Sequence, residues 1–253
     1  MRSRLQASGC GLQARGLAAA LTATLVLLTA GRARAGELTV FAASSLREAF
    51  SELGQQFEAQ HKGVRVALQF AGSQELRVQL DNGAAADVFA SADEKQMALV
   101  VALAPRPRIF ARNQPVLIVP RDNPAGLRVF ADLPKARRIV LGATEVPIGA
   151  YSDRILAAAH LDLGGRVVSR ELNVRQVMAK VELGEADAAI VYRTDAARGE
   201  VRVIPIPPEL NVTALYPIAV LAHAHEPLLA AQFVDLVRSP AGSATLSRFG
   251  FAP

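Results

Sequence analysis

Ser45 and Ser73 each stand where an apolar, strand-like run gives way to a helix-like one: TVFAASSLREAF around the first, LQFAGSQEL around the second. A serine at such a break can cap the helix by accepting a bond from its backbone. It can equally present its hydroxyl to an anion, beside the free N–H groups and positive dipole end of the same helix. Asn173-Val174 repeats the form further along. One polar turn of this kind is a cap, whereas several that converge make a site. Tyr192 ends the apolar run AIVY, which leaves two readings open. Either the ring packs at a strand end, or its hydroxyl reaches a cleft, since a buried tyrosine needs a partner for that group.

Other chemistries find less support. A serine nucleophile needs a base and an orienting acid. Of the four histidines, His61 and His160 fall at apparent helix ends, and no Gly-x-Ser-x-Gly elbow occurs. His223-Ala224-His225 lacks further ligands at matched spacing and reads as a solvated loop. Neither a Gly-x4-Gly-Lys-Ser/Thr phosphate loop nor a strand-led Gly-x-Gly-x-x-Gly fingerprint is present. None of these motifs supports an enzyme, and none calls for a cofactor.

The elements that must position these residues alternate. Strand-like runs at 37–42, 64–70, 87–90, 114–120, 138–142, 189–192, 201–206 and 215–221 are interleaved with helical periodicity. Leu46, Ala49, Phe50, Leu53 and Phe57 mark the first helix, which Lys62-Gly63 closes. Helices are expected also after Ser73, after Asp93, over 149–160 and 174–183, and over 226–237 and 241–249. Such alternation predicts an α/β fold with mainly parallel sheets, whose ligands bind beyond the carboxyl ends of strands.

Residues 1–35 stand apart. Arg2, Arg4 and Arg15 precede the uncharged run Leu17–Ala30, and Ala33-Arg34-Ala35 fits an A-x-A site, so the segment reads as a signal peptide cleaved after Ala35. The apolar run is shorter than the about 20 residues of a membrane span. The whole chain carries a formal net charge of +5, but all five arginines of this segment leave with it. The remaining 218 residues hold 23 Lys+Arg against 23 Asp+Glu and are formally neutral, which argues against nucleic acid as a partner. The single cysteine, Cys10, is also in the leader, so the exported chain relies on its core rather than on disulfides.

Taken in order, TVFAASSL (39–46), FAGSQEL (70–76), ADVFASAD (86–93), VPIGAY (146–151), LNVRQV (172–177), GEADAAIVYRTDA (184–196), YPIAV (216–220) and SRFGF (247–251) resemble the periplasmic molybdate-binding proteins of ABC transporters, the ModA family. The resemblance covers essentially all of the exported chain. It implies a type II periplasmic binding protein with a mainly parallel mixed sheet in each of two lobes. Lobe 1 would comprise residues 36–115 and 219–253, and lobe 2 residues 116–218, with hinge closure around the ligand. It implies a protein that captures molybdate or tungstate and passes it to a membrane permease; nothing in the sequence suggests an obligate oligomer, so a monomer is expected. Another oxyanion, such as sulfate, is the alternative. The oxyanion-binding positions carried over are Ser45, Ser73 and Tyr192 through their hydroxyls, and Ile148 and Val174 through backbone N–H. Gly72 stands where the family often has a serine. With no Arg or Lys at the matched positions, binding would rest on neutral donors and helix dipoles. Ser45 is expected both to start its helix and to donate to the ligand, with Ser44 as first-turn support.

Overall fold

The computed structural model describes residues 36–253; the expected leader, Cys10 and the cleavage site at Ala35 lie outside the described residues. Ten strands form two five-stranded sheets. The first contains β1 (Glu37–Ala43), β2 (Arg65–Ala71), β3 (Val88–Ala90), β4 (Arg108–Asn113) and β10 (Ala214–Val220), in the order β2-β1-β3-β10-β4. The second contains β5 (Pro115–Pro120), β6 (Ile139–Gly142), β7 (Val167–Glu171), β8 (Ala188–Tyr192) and β9 (Val201–Ile204), in the order β7-β6-β8-β5-β9.

Each sheet is mixed. β1 pairs in parallel with β2 and β3, while β10 runs antiparallel to β3 and β4. In the second sheet β6 is parallel to β7 and β8, and β5 is antiparallel to β8 and β9. The antiparallel share is larger than strand–helix alternation implies. Its source is the chain path: β4 ends the first sheet at Asn113, and β5 opens the second at Pro115, so the two consecutive strands belong to different lobes. The return is complete by Ala214, because β10 lies wholly in the first sheet and straddles the border expected at 218/219.

The periodicities explain the layers. Along β1, Leu38, Val40 and Ala42 join the large core cluster, while Phe41 joins a smaller one with Leu76, Phe89 and Met97. The strand is thus covered on both faces, as a central parallel strand must be. Helix α1 (Arg47–Gln60) buries Ala49, Phe50, Leu53 and Phe57 along one stripe. Phe50 packs against Phe110 and Phe233, with ring centroids 5.6 and 6.0 Å apart. α1 ends at His61, and Gly63 takes a positive φ of 85° to turn the chain into β2.

Two strands escape the sequence pattern. β4 and β7 are edge strands, so their residues need not alternate cleanly or form an apolar run. Phe50→Ala should lower the unfolding free energy by about 3–5 kcal/mol, the range for an emptied aromatic core position, as read from urea denaturation. A loss under about 1 kcal/mol would contradict the packing described here.

Candidate functional site

Four helix N-termini meet at one place. They belong to the turn Ser44–Leu46 that opens α1, to α2 (Ser73–Asp81), to α4 (Pro147–Ala158) and to α5 (Val174–Glu182), α3 being Glu94–Leu99. Ser44, Ser45, Gly72, Ser73, Val146, Pro147, Ile148, Asn173, Val174 and Tyr192 line a small cavity there, of about 10 Å³. That is about the space a single water centre needs, far short of an organic-ligand pocket, so it suits only a ligand of a few atoms. No charged side chain is among its lining residues. All five positions singled out in the sequence, Ser45, Ser73, Ile148, Val174 and Tyr192, come together on its wall.

The local bonding leaves donors uncommitted along this wall. Asn173 caps α5 by accepting the N–H groups of Arg175 and Gln176 at 3.1 Å each, and Val174 N–H is outside that cap. In α4 the first helical residue is Pro147, which has no N–H, so Ile148 supplies the first one. Glu75 accepts the N–H of Gly72 at 2.8 Å and ties down the entry to α2. Tyr192 is 1% exposed, and its hydroxyl has no partner among the described residues. Burial pushes its pKa well above the usual phenol value, so it stays protonated and able to donate.

The serines differ from expectation in one respect. Neither caps its helix: Ala43 precedes the Ser44–Leu46 turn without a side-chain cap, and Gly72 is the N-cap of α2. The hydroxyls are engaged elsewhere. Ser73 Oγ accepts the N–H of Ala92 at 3.0 Å, and Ser45 Oγ lies 3.1 Å from the hydroxyl of Tyr216. Each serine stands inside its helical turn rather than at the cap position before it, so its hydroxyl is free to reach a neighbouring strand or loop. Tyr216 was visible in the sequence only as a buried strand tyrosine. His223 and His225 line a separate hollow with Leu80, Leu103 and Leu221.

The two lobes also bond to each other beside the cavity. Gln74 Nε2 donates to Leu172 O at 2.6 Å, and Gln96 Nε2 to Glu145 O at 2.8 Å. On another side Glu48 of α1 pairs with Arg175 of α5, and with Arg198 at 3.2 Å. Sequence reasoning missed these contacts, since nothing in their spacing brings them together. Arg175 Nε also sits 2.9 Å from Asp195 Oδ1, though its N–H is not aligned for a hydrogen bond. Asp195 is fully buried, and burial pushes its carboxyl up to about 6, Arg175 opposing the rise and Glu48 adding to it. Desolvation prevails because the misaligned guanidinium offsets only part of it.

This geometry, a small ligand chamber between two α/β lobes, is that of a two-lobed solute-binding protein. Residues 38–252 match the family model described as "Bacterial extracellular solute-binding protein". The chain is 43% identical over 224 residues to the molybdate-binding protein ModA of Mycobacterium tuberculosis, covering 86% of this chain and 85% of that one. It is 32% identical over 247 residues to the molybdate-binding protein ModA of Escherichia coli, covering 90% and 95% respectively. The solved periplasmic molybdate-binding protein of Azotobacter vinelandii superposes with a TM-score of 0.75 at 20% identity, over 85% of this chain and 99% of that one. The chain belongs to the ModA family of bacterial extracellular solute-binding proteins.

Two outcomes follow from the geometry. A Cβ at position 72 would lie 2.4 Å from Leu172 O of the opposite lobe. Gly72→Ala should therefore hold the lobes apart and increase the radius of gyration in small-angle scattering, and an unchanged radius would contradict the close approach. Asp195 holds its proton to about pH 6 when folded, against 3.8 for the free group. The folded state binds the extra proton between those values, so the contribution of this group to stability falls as pH rises through about 4 to 6. Asp195→Asn removes that slope, and the difference in unfolding free energy between the two proteins should change with pH over that window. A difference that stays flat would contradict the raised pKa.

Proposed function

We propose that this protein captures molybdate, and tungstate as its near twin, outside the cytoplasmic membrane and delivers it to the membrane permease of an ABC importer. In this reading it acts as a monomer without enzymatic activity, freed of its leader after Ala35. Lobe 1 is built on the first sheet and lobe 2 on the second, with the crossing into lobe 2 at about 115 and the return to lobe 1 at the start of β10, Ala214, rather than at 219. The anion lies between them, held by the hydroxyls of Ser45, Ser73 and Tyr192 and the N–H groups of Ile148 and Val174.

The observation that carries the reading is the buried, unpartnered hydroxyl of Tyr192 on a cavity ringed by helix N-termini. A buried donor without a partner is costly, and an anion oxygen removes that cost. Neutral donors suffice for a dianion because helix dipoles and charge-assisted bonds offset its desolvation. They also leave the release step possible, which a full ionic clamp would oppose. The names of the relatives, molybdate-binding proteins, point to the same cargo. Sulfate shares the charge and shape of molybdate, so the two must be separated by cavity dimensions.

Tyr192→Phe removes one bond to a charged group, worth about 1.5–3 kcal/mol. Molybdate affinity should fall about 10- to 150-fold in calorimetric titration, with the thermal unfolding curve nearly unmoved. Unchanged affinity in a folded variant would take Tyr192 out of the site. Binding of sulfate in preference to molybdate would overturn the assigned cargo and leave the fold standing.

A further inference from the structure

A hydroxyl on the cavity wall can donate or accept, and what fixes its direction lies behind it. Ser73 Oγ is fixed by the Ala92 N–H, which it accepts at 3.0 Å. For Ser45 the neighbour is another hydroxyl, that of Tyr216 at 3.1 Å, and either could donate. The next residue back resolves this. Asn113 Oδ1 accepts the Gln114 N–H at 2.9 Å, and its Nδ2 donates to Thr194 Oγ1 at 2.8 Å. The amide is therefore oriented with its NH2 group toward Tyr216, 3.5 Å from the phenolic oxygen. An amide NH2 cannot accept a proton, and neither neighbour but Ser45 Oγ can. Tyr216 is 0% exposed, so no solvent offers an alternative. Its proton goes to Ser45, and the proton of Ser45 is left to point into the cavity.

We infer that Tyr216 is a positioning residue that sets specificity: by donating to Ser45 it holds that hydroxyl as a donor, and so favours fully deprotonated tetrahedral dianions over anions that carry a proton. The inference rests on the oxyanion reading above. Near neutral pH phosphate carries a proton that needs an acceptor, and a wall of fixed donors leaves it unpaired. Without Tyr216, Ser45 Oγ has its lone pairs free and can turn to accept. The ring itself is not what matters. It packs edge-on against Phe110, Tyr192 and Phe251 at centroid distances of 6.3, 5.8 and 5.4 Å, and a phenylalanine preserves those contacts.

The test is a cycle of wild type, Tyr216→Phe, Ser45→Ala and the double variant. Each is titrated with molybdate and with inorganic phosphate, by competition where binding is weak. Tyr216→Phe should weaken molybdate about 3- to 10-fold, the order of one neutral hydrogen bond. Phosphate should be unaffected or bind better, so the molybdate-to-phosphate ratio falls by at least that factor. In the Ser45→Ala background the same change should alter molybdate binding by less than about 2-fold, because Tyr216 acts through Ser45. Three results overturn the inference: unchanged molybdate binding in Tyr216→Phe, an equal loss for both anions, or an undiminished loss when Ser45 is absent. Failure of wild type to bind molybdate is a separate outcome that overturns the functional reading itself, and it shows before any variant is compared.

Discussion

The structure is organised around an unmet need for acceptors. Helix N-termini from both lobes line one small cavity that has no charged residue in its wall. The Tyr192 hydroxyl on its wall is buried without a partner among the described residues. In the proposed function a small dianion takes bonds from both lobes at once, and does so only while the lobes lie together. Neither half can satisfy it alone, because α1 and α2 belong to the first sheet's lobe while α4 and α5 belong to the second's.

The rest of the molecule serves that convergence. Each contributing helix follows a strand, so the strand ends set where the N–H groups point. The residues that link the lobes stand on the same helices. Glu48 is in the first turn of α1 and meets Arg175, the residue after Val174 in α5, while Gln74 of α2 reaches Leu172 just ahead of α5. Contacts between lobes and contacts to the cavity are therefore mechanically one unit. Gly72 is the tightest point of that unit, where backbone from the other lobe approaches too closely for a side chain.

Much of this was legible in the sequence. The strand–polar–helix breaks at Ser45, Ser73 and Val174 locate three helix starts because periodicity and turn chemistry are local properties. All five site positions reach the cavity wall. What was not legible was set by tertiary contact. The serines read as caps, yet their hydroxyls bond to Tyr216 and Ala92, which the chain delivers from elsewhere in the first sheet's lobe. β7 lacks the burial that would impress a pattern on it, and β4 breaks its buried stretch with the exposed Arg108 and Arg112. The antiparallel pairings come from the crossing at Asn113–Pro115, which alternation alone cannot reveal. The Glu48–Arg175–Asp195 cluster joins residues too distant in sequence for any spacing rule to connect.

The central claim is that a cavity of oriented neutral donors selects a tetrahedral dianion. It is tested most directly by titrating the wild-type protein with molybdate, tungstate, sulfate and inorganic phosphate at a single near-neutral pH. The account predicts one-to-one binding of molybdate and tungstate, with hydrogen phosphate far weaker because its proton finds no acceptor. Hydrogen phosphate binding as tightly as molybdate would contradict it.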